Sequence, residues 1–186
     1  TQVSRAAALL DEELTAWRNR PLERCPFLFL DARYEKVRQS GQVRDAAVLL
    51  AVGVNSQGKR EILGVSVSLG EHEVHWRAFM KSLQERGLCG VELVVSDDHL
   101  GLKAARQAVF GGIPWQRCQF HLQQNAQAYV PRHALKAEVA ADIRAVFDAP
   151  SRPAAEMLLT QTVAKYTVTA PKLAEWMEVN IPEGLT

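Results

Sequence analysis

The sequence predicts an α/β protein with a mixed sheet. Three antiparallel strands come first, then two parallel strands reached through helical crossovers, then an all-helical segment. Three observations lead there. Cys25-Pro26-Phe27-Leu28-Phe29 continues through Leu30 into Asp31, an apolar run opened by a proline, which is the pattern of a buried strand. Val91 to Ser96 is a second buried-strand pattern and runs into Asp97. Between the two, the spacing of apolar residues changes from a period of two to a helical period, so the second strand follows a helix.

Taken in order, residues 1–20 read as a helix, because Ala7, Leu10, Leu14 and Trp17 recur at helical spacing and Pro21 stops it. Strand one spans about Phe27 to Tyr34. The polar stretch Glu35 to Asp45 reads as a loop or hairpin. Strand two, Ala46 to Val54, is continuously apolar and is expected to be buried on both faces. Asn55-Ser56-Gln57-Gly58 is a turn by composition. In strand three, Glu61 to Leu69, alternation puts Leu63, Val65, Val67 and Leu69 on one side and Gly64, Ser66 and Ser68 on the other. Trp76, Phe79, Met80 and Leu83 then line a helix that Gly87 ends. Strand four is Val91 to Ser96, a second helix spans Leu100 to Phe110 before Gly111-Gly112, and strand five covers Pro114 to Cys118. Strands four and five follow helical crossovers and are therefore expected to be parallel. Beyond Gln119 only helical patterns remain. Leu135, Val139, Ile143 and Val146 line one helix, Leu158, Leu159, Thr162 and Tyr166 the next, and Leu173, Trp176 and Met177 a third that opens on Pro171 and ends at Pro182.

Composition narrows the function classes. The chain has 186 residues, is 47% hydrophobic and 23% charged, and has a net charge of +1, so it shows no global basic footprint, although a local patch is compatible with these numbers. The longest apolar run, Ala46 to Val54, is too short to span a membrane, and no secretory signal opens the chain. Cys25, Cys89 and Cys118 form no CxxC pair, which favours reduced thiols in a cytoplasmic setting. Starting at Thr1 and stopping at Thr186, the chain reads as a piece of something longer.

The residues that can carry chemistry are few. If strands one and four are neighbours, Asp31 and Asp97 face each other, and a divalent cation relieves the repulsion between them. Mg²⁺ takes one or two carboxylates together with water and substrate phosphate. The competing reading is that both aspartates cap the loops or helices that follow. Side chains alternate along a strand, so only one of Asp97 and Asp98 can share a cleft with Asp31. Asp98, nearer the helix, is the expected N-cap and Asp97 the ligand. Cys118 and His121 have a spacing that a zinc site uses when two further ligands are at hand, but no matching pair is evident. The alternatives are a packed Cys and His, or a His121 that lies beside the metal cleft after strand five. Glu71-His72-Glu73-Val74-His75 reads as a solvated helix start more readily than as a metal site. Arg33, Lys36, Arg38 and Arg44 follow Asp31 closely and are candidate DNA-backbone contacts, or else simply solvated charge.

Several stretches together resemble the mutator-type transposases of bacterial insertion sequences. They are Trp17 to Leu22, Leu30 to Arg38, Glu61 to Gly64, Glu85 to Leu88, Ser96 to Lys103 and Trp115 to His121, and they fall in the family's order along nearly the whole chain. The resemblance implies a ribonuclease H-like catalytic fold and a DDE enzyme, in which two aspartates and a glutamate hold two Mg²⁺ (or Mn²⁺) ions for DNA strand cleavage and strand transfer. Asp31 matches the first aspartate and Asp97 the second. Cys118 and His121 match the family's Cys-x-x-His signature, and Asp98 stands where the family usually has glycine. The family's glutamate follows a helical insertion, which residues 119–186 resemble, so none of Glu138, Glu156, Glu175, Glu178 and Glu183 is assigned to it.

The organisation expected is a helix over 1–24 as the tail of a DNA-binding region, a partial catalytic core over 25–121, and a helical insertion over 122–186. The expected function is that of a DDE transposase fragment, inactive alone for want of the third acid. Its partners would be double-stranded DNA (transposon ends and target) and the full-length transposase in a homo-oligomer. It would have no membrane partner and would sit in the bacterial cytoplasm at the nucleoid. The alternatives are a non-catalytic remnant that binds DNA or regulates the transposase, and a ribonuclease H-like nuclease.

Overall fold

The computed structural model describes residues 2–186. The chain divides into two compact units, Thr1–Pro114 and Trp115–Thr186. Helix α1 (Gln2–Asn19) opens the first. Its stripe forms at helical spacing but is not buried, since Leu9, Leu10 and Leu14 are all exposed. Past its end, the Arg20 guanidinium lies over the Trp17 ring and donates to Glu61 Oε1 (2.8 Å) and to the Ile62 carbonyl (2.6 Å), which ties the linker to a strand edge.

The strands are β1 (Phe27–Gln39), β2 (Gln42–Val54), β3 (Arg60–Ser68), β4 (Leu93–Ser96) and β5 (Trp115–Arg117), in the sheet order β3-β2-β1-β4-β5. β1, β2 and β3 are antiparallel neighbours and β4 is parallel to β1, the ribonuclease H-like arrangement that the resemblance implies.

Three details refine or depart from the sequence expectations. First, of the two readings of Glu35 to Asp45, loop or hairpin, the structure takes the hairpin, and both strands run further into it than expected. β1 and β2 stay paired to Gln39↔Gln42, closed by Ser40 (φ 50°) and Gly41 (φ 78°), the positive φ pair of a tight hairpin turn. Cross-strand Lys36 and Asp45, bonded at 2.8 Å, support this polar ladder. Second, β2 is fully buried on one face only: Ala47, Leu49, Ala51 and Gly53 are buried, while Val48, Leu50, Val52 and Val54 are half-buried. Third, the register slips between Ala51 and Val52, so Ala51 pairs with Gly64 and Val52 with Ile62, leaving Leu63 as the extra residue of a bulge. Leu63 (1% exposed) turns in beside Gly53 and Cys25, whereas Val67 is 58% and Leu69 57% exposed, so the expected common face of Leu63, Val67 and Leu69 is broken.

Two helices cover the buried face. Helix α2 (Glu73–Glu85) buries Trp76, Phe79, Met80 and Leu83. It closes with Gly87 N–H to Gln84 O and Leu88 N–H to Leu83 O, with Gly87 at φ 101°, a glycine-ended motif of the expected kind. Gly64 lets α2 approach β3, because a Cβ there would meet Phe79 and Leu83 at 3.1 Å. Helix α3 (Leu100–Phe110) buries Leu102, Ala105, Arg106 and Phe110.

The second unit contains α4 (Gln119–Ala126), α5 (Lys136–Phe147), α6 (Arg152–Tyr166) and α7 (Pro171–Asn180). Its core joins Leu122 of α4 to Val139 and Ile143 of α5, Leu159 and Tyr166 of α6, and Leu173 and Met177 of α7. Ser151 Oγ accepts from the Ala154 N–H and caps α6. Tyr166 Oη donates to Asp142 Oδ2 (2.7 Å), which Lys165 also reaches (2.6 Å). Among the described residues no helix is long and apolar enough to cross a membrane.

Candidate functional site

Parallel pairing brings the two aspartates together. β1 and β4 run in register from Phe27↔Leu93 to Leu30↔Ser96, and Asp31 and Asp97 are the next residue on each. Adjacent strands lie about 4.8 Å apart, so the two backbones emerge side by side. Alternation sets the faces. Leu28 and Leu30 point into the helix-covered core, and Asp31 shares the opposite face with Phe27 and Phe29. Asp97 takes the same parity as Leu93 and Val95, the in-register partners of those two residues. Asp31 is exposed and its Oδ1 accepts from the Ala32 N–H (2.9 Å), while Asp97 is half-buried.

Asp31 does not end its strand. β1 runs on to Gln39 beside β2 alone, so Asp31 marks the point where β4 leaves β1. Asp98 is not the helix cap expected of it. The N-cap position of α3 is His99, without a side-chain cap bond, and Asp98 Oδ1 instead accepts from Lys103 Nζ at 2.8 Å. That ion pair links Asp98 to the first turn of α3.

The face that carries Asp31 is apolar and open. Phe27 is 42%, Phe29 36% and Ile62 48% exposed on it. Sequence reasoning missed this face because the run Ala46 to Val54 looks buried on both sides. The half-exposed aromatic residues at alternate positions in β1 become visible only with the register.

The four cations lie along the β1–β2 hairpin. Arg33 pairs with Glu35 and Lys36 with Asp45. Arg44 Nη2 donates to Gln42 Oε1 (3.0 Å), and Arg38 is exposed. Cys118 occupies the N-cap position of α4 without a cap bond. His121 sits in that helix's first turn, its ring edge-on to Phe120 at 5.3 Å. At the start of α2, His72 and His75 are exposed with their rings 6.1 Å apart, and Glu73 pairs with Arg77. Among the described residues there is no group of three or more His, Cys, Asp or Glu side chains that could hold a metal ion.

The fold and site define an α/β protein whose mixed sheet brings two aspartates to the ends of an in-register parallel pair. A family model described as "Transposase, Mutator family" matches residues 1–186, and the chain belongs to that family. It is 58% identical over 185 residues to the transposase for insertion sequence element IS406 of Burkholderia multivorans, covering 100% of this chain and 48% of the relative. It is 43% identical over 179 residues to the transposase for ISRM5 of Rhizobium meliloti, covering 95% of this chain and 44% of the relative. The chain thus spans about half the length of the curated relatives it matches. Among solved structures, the HTLV-2 integrase catalytic core domain in complex with magnesium aligns over 71% of this chain and 90% of its own, at 10% identity and a TM-score of 0.35.

Proposed function

We propose that this chain is the part of a DDE transposase that carries the first two catalytic carboxylates, Asp31 and Asp97, with double-stranded DNA as substrate. The observation that supports the reading is that each of these two aspartates stands one residue beyond an in-register parallel pair of neighbouring strands. A divalent metal suits this donor set. It offers only oxygen, from two carboxylates whose mutual repulsion a cation relieves, and Mg²⁺ or Mn²⁺ leaves its remaining positions to water and phosphate. Bound there, such an ion would stabilise charge on the attacking and leaving oxygens of a phosphoryl transfer. The protein's own part is to hold Asp31 and Asp97 on rigid neighbouring strands and to keep Asp98 occupied by Lys103. Arg33, Lys36, Arg38 and Arg44 lie on the hairpin that extends from Asp31 and are the proposed DNA contacts. In this reading the third acid lies outside the chain, so the 186 residues alone bind metal weakly and do not transfer strands.

The test is Mn²⁺ binding followed by electron paramagnetic resonance on the purified chain. Asp31→Asn and Asp97→Asn are expected to weaken binding about tenfold or more each, the loss of roughly 1.4 kcal/mol, while Asp98→Asn leaves it unchanged. Equal affinity in all three variants would refute the assignment.

A further inference from the structure

The β1–β2 hairpin outruns the rest of the sheet. β4 leaves β1 after Leu30, and β3 reaches β2 only as far as Ala47. From Glu35↔Ala46 to Gln39↔Gln42 the ladder is therefore a two-stranded ribbon, closed by the tight turn at Ser40 and Gly41. Lys36, Arg38, Val43, Arg44 and Asp45 are all exposed on it.

Its charge is arranged unusually for a surface that lies flat on a partner. Lys36 is matched by Asp45, and Arg33 at its base by Glu35, but among the described residues neither Arg38 nor Arg44 has a carboxylate partner. Strand parity places these two arginines on opposite faces of the ribbon. Arg44 pairs across the ladder with Val37 and lies on the Asp31 face together with Gln42, while Arg38 pairs with Val43 on the other face. Cations on both faces of a thin projecting element match a partner with negative charge on two facing walls. The major groove of B-form DNA is such a partner: it is about 12 Å wide, flanked by phosphates, and admits a two-stranded ribbon. The deep, narrow major groove of A-form RNA does not admit one.

We propose that this ribbon enters the major groove of duplex DNA, with Arg38 facing one phosphate wall, Arg44 the other, and Gln42 turned toward base edges. This rests on the reading of Asp31 and Asp97 as the site of phosphoryl transfer, and it adds a distance. Seven residues separate Asp31 from Arg38, about 23 Å at roughly 3.3 Å per residue. At about 3.4 Å per base pair, the ribbon meets DNA about 7 base pairs from the phosphate at the aspartates.

The experiment is fluorescence anisotropy of the purified chain on a labelled DNA duplex and on an RNA duplex of the same sequence, without divalent metal, across a salt series. The proteins compared are the wild type and Arg38→Ala/Arg44→Ala, with circular dichroism and melting as checks that the exposed substitutions leave the fold intact. The expected result is a preference for the DNA duplex. The slope of log affinity against log salt should fall by about 1.8 in the double variant, roughly 0.9 per lost phosphate contact. An unchanged slope in the double variant, a preference for RNA, or no binding to the DNA duplex each overturns the proposal. Failure here with Mn²⁺ binding still dependent on Asp31 and Asp97 removes the ribbon alone. Persistence of ribbon-dependent DNA binding with Mn²⁺ binding indifferent to both aspartates removes the catalytic reading instead.

Discussion

Gly101→Ala tests how the second aspartate is held. Replacing an exposed helical glycine with alanine ordinarily stabilises a protein by about 0.4–1 kcal/mol, through the entropy of the unfolded chain and helix propensity. At Gly101 the sign is expected to reverse. A Cβ there would sit 2.1 Å from the Glu71 carbonyl oxygen and 3.0 Å from the Glu73 nitrogen, both backbone atoms that cannot swing aside as a side chain tip would. Reaching ordinary contact requires the first turn of α3 to move by about an ångström, an overpacking penalty of roughly 1–3 kcal/mol. After the propensity gain, a net loss of about 1–2 kcal/mol remains, which lowers Tm by roughly 5–10 °C for a unit of this size. Asp97, Asp98 and His99 lead directly into that turn, so the same shift moves Asp97 relative to Asp31. Calorimetry and Mn²⁺ titration of the variant read the two effects together. A variant as stable as the wild type, with equal Mn²⁺ affinity, would refute the argument that the contact between α3 and the Glu71 backbone positions the site.

Further outcomes concern packing. Leu63→Ala should cost about 2–5 kcal/mol in denaturant unfolding, whereas Val67→Ala should stay within roughly 0.5 kcal/mol, because the bulge at Leu63 separates two residues that simple alternation places together. Equal costs would mean the bulge is absent. In the helical unit, Tyr166→Phe removes the 2.7 Å bond to Asp142, a hydrogen bond to a charged group worth about 1.5–3 kcal/mol. The lower end is expected, since Asp142 keeps Lys165. Burial first, and then the Asp142 carboxylate, push the Tyr166 phenol up from 10.0 to about 12. The unfolded chain therefore loses this proton first. The stabilisation is complete below pH 10 and is lost as pH rises toward 12, so wild-type stability should fall across that window more steeply than that of Tyr166→Phe. Parallel pH curves for the two proteins would remove Tyr166 as the cause.

Much of this chain is legible from local pattern. The helical stripe Trp76, Phe79, Met80, Leu83 and the glycine after it define α2, because packing at helical spacing and a left-handed residue at the end are properties of a few neighbouring residues. Helical spacing alone makes the buried stripe of α3 and the core positions of α5 to α7 legible in the same way. The polar stretch reads as a loop or a hairpin, and the choice between them and the length of the ladder were not legible. Glu35 to Asp45 lacks an apolar face, and its ladder depends on cross-strand partners that no window along the chain reveals.

The sequence by itself determined the order of elements and the two strands that run into Asp31 and Asp97, since both follow from apolar period and punctuation. Parity allows only one of Asp97 and Asp98 to share a cleft with Asp31, and the choice of Asp97 rests on an N-cap role for Asp98 that His99 takes instead. Only the tertiary structure decided that β4 lies in register beside β1, that Lys103 pairs with Asp98, and that a bulge moves Val67 to the open face. The reason is physical. Period and capping are set within a turn or two of chain, whereas register and ion pairing are settled between segments far apart in sequence, by which faces can be buried together.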